Sequence, residues 1–130
     1  MSESERPAAL LHGVVVAHGS MAAAMIEAAE LVSGVKGALR AVSNTDCDRG
    51  GLETRIVEAV GERPAVVFID MMGGSCMMAA MRRLRERADV RVVTGVNLAM
   101  LLEFLFHREG AVDAAADRAV AAGGEAIRST

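Results

Sequence analysis

His18, Asp70 and the run Gly73–Gly74–Ser75 are the residues whose types and placement point to chemistry. A neutral imidazole has one lone-pair nitrogen and one N–H, and a carboxylate on the N–H side decides which is which. An aspartate so placed leaves the other nitrogen free to attack and stabilises the ring as it becomes cationic. Glycines allow close backbone approach, amides at a helix start attract anions, and a serine hydroxyl adds a donor. This set suits phosphoryl transfer, which asks mainly for positioning and charge stabilisation. Gly19 and Ser20, directly after the histidine, can serve the anion from the other side. Singly each piece is weak, since strand-end histidines, helix-capping aspartates and Gly-Gly-Ser turns are common structural features. The signal lies in their convergence on one edge.

That convergence depends on the elements around them. Leu10–Ala17 reads as a strand covered on both faces, because Val14, Val15 and Val16 run without alternation. It ends at His18. Met21–Ser33 follows as a helix with Ser20 as N-cap. Ala38–Val42 makes a second strand, Ser43–Gly51 a polar loop and Leu52–Val60 a second helix. Ala65–Ile69 is another apolar strand, ending at Asp70, and the third helix runs from Ser75 to about Ala88. Val90–Val93 is the fourth strand, Asn97 caps a helix over Leu98–His107, and Ala111–Ile127 is the last helix.

Repeated strand–helix alternation predicts an α/β fold, a doubly wound open sheet, mainly parallel, with helices on both faces. Such sheets bind ligands at the carboxyl ends of strands, where strand order reverses. With order 2-1-3-4, the first and third strands are neighbours about 4.8 Å apart. His18 and Asp70 then face each other across the crevice within hydrogen-bonding reach.

The bulk composition narrows the partners. With 130 residues, 52% hydrophobic, 24% charged and a net charge of −3, the chain reads as one globular domain over residues 10–130 behind a flexible tail at 1–9. Neither that charge nor the lack of Trp and Tyr favours nucleic acid. No signal peptide is evident and no apolar run reaches a membrane span, so a cytoplasmic protein is expected. Cys47 and Cys76 form neither a disulfide framework nor a metal-type spacing, and no metal or cofactor is expected.

Three motifs make the chain recognisable: Ala-His-Gly-Ser at 17–20, Phe-Ile-Asp-Met-Met-Gly-Gly-Ser-Cys at 68–76 and Gly-Val-Asn-Leu-Ala-Met-Leu at 95–101. From about Gly13 to Ile127 it resembles the mannose-family enzyme IIA of the bacterial phosphoenolpyruvate:sugar phosphotransferase system. The resemblance implies a phosphotransferase in which His18 accepts a phosphoryl group from the phosphocarrier protein HPr and passes it to a histidine of a IIB domain. It implies that Asp70 hydrogen-bonds the histidine, that the glycine–serine stretch lines the phosphate site, and that the protein is a homodimer. The family usually has Thr-Trp at Met71 and Met72, and Pro at Cys76 and Ala99, which bears on partner choice more than on chemistry. Many members continue into a further strand and a fused IIB domain; here IIB is expected on a separate chain, and contact with a membrane only through transporter components. The alternatives are the phosphotransfer subunit of dihydroxyacetone kinase, with a different acceptor, and a stand-alone regulatory module whose phosphorylation state a partner senses.

The remaining features have plainer readings beside sharper ones. Seven methionines, Met21, Met25, Met71, Met72, Met77, Met78 and Met81, crowd the two site loops. They serve either as core filling or as an adaptable rim for protein partners, with Met71 and Met72 the docking candidates. Leu98–Phe106 is apolar nearly all round and is expected to form the subunit interface. Arg82, Arg83, Arg85, Arg87 and Arg91 read as a solvated face near a helix C-terminus. His12 and His107 read as structural, and Cys76 sits at a helix start, where a thiolate is favoured.

Overall fold

Runs of Val, Ile and Phe form the strands. In the computed structural model, which describes residues 9–130, these are β1 (His12–Ala17), β2 (Leu39–Ser43), β3 (Ala65–Ile69) and β4 (Val90–Thr94). The tail expected over residues 1–9 lies, except for Ala9, outside the described residues. All strand pairs are parallel and the order is β2-β1-β3-β4, as expected. The helices are α1 (Met21–Ser33), α2 (Arg49–Val60), α3 (Ser75–Leu84), α4 (Leu98–Phe106) and α5 (Val112–Glu125).

The two-residue period of the strands splits the core into two halves. Val15 and Ala17 of β1, with Val66 and Phe68 of β3, face the layer of α1, α4 and α5. Val14, Val16, Val67 and Ile69 face α2 and α3. Both faces of β1 and β3 are therefore buried, which is why neither strand alternates with polar residues. Phe68 and Phe104 meet edge to face, ring centres 5.5 Å apart at 74°. Gly13 lies beneath them, and a Cβ there would come within 2.7 Å of Leu39 and 3.0 Å of Phe104.

Most boundaries fall within two residues of expectation, and two differ by more. α2 begins at Arg49, inside the stretch read as loop, because the Asp48 carboxylate accepts from the Gly51 N–H at 2.8 Å. That cap offsets the poor helix propensity of Gly50 and Gly51. α3 stops at Leu84 rather than near Ala88, since the Arg87 N–H turns back to the Leu84 carbonyl. The Arg87 guanidinium then fastens the turn to Gly61 O and to Asp89. Asn97 caps α4 as expected, accepting from the Met100 N–H at 3.0 Å, and it also donates to Gly123 O of α5. Ser20 does not cap α1 with its side chain.

Candidate functional site

β1 and β3 end side by side, and their register carries the residues just beyond them into contact. Val16 pairs with Ile69, and the Asp70 N–H donates to Val16 O at 3.2 Å, extending the ladder past the end of β3. Asp70 answers from its side chain: Oδ2 accepts from the His18 backbone N–H at 2.9 Å and lies 2.6 Å from His18 Nδ1. Oδ1 accepts from the Met71 N–H at 2.9 Å. Both carboxylate oxygens are thus engaged, and the side chain is 8% exposed against 44% for the His18 ring.

Burial acts to raise the Asp70 pKa, but the hydrogen bonds from the His18 ring and backbone, the ring's charge and the Met71 amide outweigh it. The carboxyl therefore sits below its ordinary value and is ionised at neutral pH. An ionised carboxylate only accepts, so the proton of a neutral His18 ring belongs on Nδ1. Nε2 then carries the lone pair, and it faces Ser75 Oγ at 3.4 Å.

The predicted anion-binding residues divide into two groups. Gly74 and Ser75 open α3 next to the ring, and a Cβ on Gly74 would lie 3.5 Å from His18 Cε1. Among the described residues the amides of Gly74 and Ser75 have no protein acceptor. Gly73 takes a positive φ of 83° that favours glycine, but its N–H is directed to Met77 Sδ at 3.1 Å. The Gly19 N–H is likewise engaged, by Asn44 Oδ1 at 3.1 Å, while Gly19 O accepts from Ser43 Oγ. Ser20 is exposed at the start of α1. Met71 and Met72 stand out from the loop at 53% and 74% exposure, with Met21 and Met78 also exposed, so most of this set forms a rim rather than core.

Other residues of the site escaped the sequence reading. Ser43 and Asn44, at the carboxyl end of β2, hold the Gly19 turn, and Arg55 of α2 donates to Ser43 O and Thr45 O to hold that loop in turn. Their one signal was a polar stretch after a strand. Arg49 and Ser75 share the lining of a cavity of about 120 Å³ with Asn44, Cys47, Asp48 and Leu52. Cys76 reverses its expectation, because burial pushes its thiol up to about 11 and the Asp70 charge acts in the same direction, outweighing the helix start. Of the late arginines, Arg82, Arg83 and Arg85 are exposed as expected, and all lie near carboxylates: Arg82 and Arg83 approach Glu53, Arg85 Glu86, Arg87 Asp89, and Arg91 Asp113 and Asp117. His12 is buried at the far end of β1 against Pro64 O, and His107 sits on Glu103.

No helix among the described residues is long and apolar enough to cross a membrane. Among curated proteins none matches the sequence. Solved structures do match. A phosphotransferase system component EIIA from Streptococcus agalactiae aligns at a TM-score of 0.85 and 21% identity, over 92% of this chain and 97% of that one. The mannose/sorbose-specific IIA subunit from Enterococcus faecalis aligns at 0.81 and 24% identity, over 94% and 96%. A sigma-54 interaction domain protein from Enterococcus faecalis aligns at 0.71 and 15%, over 92% and 94%. At these identities the likeness establishes a common fold. The family itself is established by the sequence, since a family model described as the PTS system fructose IIA component matches residues 13–122. The chain belongs to this mannose-type EIIA family, whose members are phosphotransfer components of sugar transport.

Proposed function

We propose that His18 is a transient phosphoryl carrier, loaded by phospho-HPr and discharged onto a histidine of a separate IIB protein, in sugar uptake or its regulation. The observation that carries this reading is the 2.6 Å contact between His18 Nδ1 and Asp70 Oδ2, which leaves Nε2 as the nucleophile at the open side of the crevice. In the forward step Nε2 attacks phosphorus, the P–N bond to the donor imidazole breaks, and the donor ring departs with its electron pair. The His18 ring gains positive charge as the new bond forms, and the ionised Asp70 stabilises it through Nδ1–H. The amides of Gly74 and Ser75 and the Ser75 hydroxyl receive the phosphoryl oxygens, while Gly19, Ser20 and Gly73 shape the turns on either side. Arg49 adds positive charge at the rim of the adjoining cavity. Transfer to IIB is the same displacement in reverse, so neither metal nor nucleotide enters it.

Met71 and Met72 form the adaptable apolar surface on which both partners dock. The protein works as a homodimer through α4. That helix keeps Met100, Leu101, Phe104 and Leu105 in the core but turns Leu98 and Phe106, 36% and 55% exposed, outward with half-buried Leu102 between them. The deciding experiment is incubation with phosphoenolpyruvate, enzyme I and HPr, followed by intact mass and acid–base lability. The expected result is one acid-labile, base-stable phosphoryl group on the wild type and none on His18→Ala. Label that persists in His18→Ala would refute the proposal.

A further inference from the structure

The side chains of Asp70 and Cys76 converge on the His18 ring from two other elements. His18 follows β1, Asp70 follows β3 and Cys76 lies in the first turn of α3; one imidazole nitrogen, one carboxylate oxygen and the Cys76 Sγ all lie within 4.8 Å of one another. Sγ stands 3.9 Å from His18 Nδ1, and Nδ1 stands 2.6 Å from Asp70 Oδ2. The spacing of the cysteines in sequence carries no metal signature; the fold supplies it by joining two strand ends and a helix start. We propose that His18, Asp70 and Cys76 form a binding site for a thiophilic divalent cation of the zinc type, and that its occupancy blocks phosphoryl acceptance by His18.

The geometry is close to what such an ion requires. Tetrahedral zinc with bonds of about 2.0–2.3 Å sets its ligand atoms roughly 3.3–3.6 Å apart. The Nδ1–Oδ2 pair must open by about 0.7 Å, the Nδ1–Sγ pair close by about 0.4 Å, and the Oδ2–Sγ pair, which lies within 4.8 Å, close by up to about 1.2 Å, movements that rotation of the three side chains supplies. The short contact is held by the proton between ring and carboxylate, and the ion replaces that proton. Imidazole, carboxylate and thiolate are the ligand types zinc takes, and water completes the fourth position. The exposed ring, turning about its side-chain bonds, opens the way in. The protons balance: the metal takes the Nδ1 lone pair, the proton formerly on Nδ1 moves through solvent to Nε2, and the Cys76 proton is released. With hydrogen on Nε2 the ring has no lone pair for phosphorus. The blocking step rests on His18 as phosphoryl acceptor; the binding step does not.

The test is titration of the metal-free full chain with Co²⁺ or Cd²⁺ alone, followed by the thiolate-to-metal charge-transfer absorption. One equivalent is expected to bind with such a band, retained in Cys47→Ser and lost in Cys76→Ala and Cys76→Ser, whose folding is checked by circular dichroism. Absence of the band in the wild type, or its survival in both Cys76 variants, overturns the site. In a second arm, one equivalent of Zn²⁺ is expected to slow phosphoryl acceptance at least tenfold in the wild type and less than twofold in Cys76→Ala. Equal rates with and without Zn²⁺ in a chain that shows the band overturn the block. A chain that binds Co²⁺ but never accepts phosphate without metal would instead contradict the carrier reading and leave the site standing.

Discussion

Asp70→Asn tests the dyad with the least change of shape. In the wild type Oδ2 accepts from both the His18 N–H and Nδ1–H, and Oδ1 accepts from the Met71 N–H. An amide cannot reproduce this in either orientation. With its oxygen toward His18, its NH₂ meets the Met71 N–H. With its NH₂ toward His18, the ring must present a bare Nδ1, which moves the proton to Nε2 and removes the nucleophile. The loss is one charge-assisted hydrogen bond to a ring that gains charge during transfer, about 1.5–3 kcal/mol. At about 1.4 kcal/mol per decade this is roughly 10- to 150-fold in rate. The His18 ring is 44% exposed, so water screens the pair and the lower part of the range applies, about 10- to 40-fold. The assay is rapid-quench phosphorylation by phospho-HPr, with circular dichroism and urea unfolding to confirm that the variant is folded. A folded Asp70→Asn protein that accepts phosphate within threefold of the wild-type rate would refute the orienting role.

Three further outcomes follow from the same geometry. Gly123→Ala places a Cβ 2.5 Å from Met100 Cγ and 3.2 Å from Asn97 Oδ1, so overpacking should cost about 1–3 kcal/mol in urea unfolding; unchanged stability would mean that α4 and α5 are less closely packed. The Asp70 carboxyl ionises below its ordinary value, so its stabilising contribution is full above the unfolded value of about 3.9 and is lost as pH falls through the lower native value. Wild type should therefore lose its margin over Asp70→Asn as the pH drops below about 4, and a margin independent of acidity would contradict this. Replacing Met71 and Met72 by Asp should raise KM for phospho-HPr at least fivefold while leaving kcat within twofold; a fall in kcat alone would place them in the chemistry rather than in docking.

The sequence made the dyad legible because β1 and β3 are buried on both faces. Val14–Val16 and Ala65–Ile69 read as continuous apolar runs, and parallel topology then puts the residues that end them side by side. The capping role of Asn97 was equally readable, from one residue type before an apolar helix. What escaped was decided by individual side-chain contacts, some distant in sequence and some local. Asn44 holds the Gly19 amide from 25 residues away, and Met77 Sδ takes the Gly73 amide that a Gly-Gly-Ser pattern reserves for an anion. Cys76 was misread because helix-start electrostatics are visible in sequence whereas burial and the neighbouring Asp70 charge are not. The start of α2 was hidden by two glycines whose cost a single aspartate cap outweighs.

The Asp70 amide is a rung of the β1–β3 ladder, and the His18 amide is tied to Asp70 by the side chain. The two residues are therefore fixed to each other through the backbone at the carboxyl end of the central strand pair. A site anchored in this way offers little backbone movement through which to announce that it has been loaded. On the proposed carrier reading, phosphate adds nearly two negative charges at one exposed ring. Any protein that distinguishes the loaded from the empty carrier must therefore sense an electric field at the mouth of the crevice rather than a change of form.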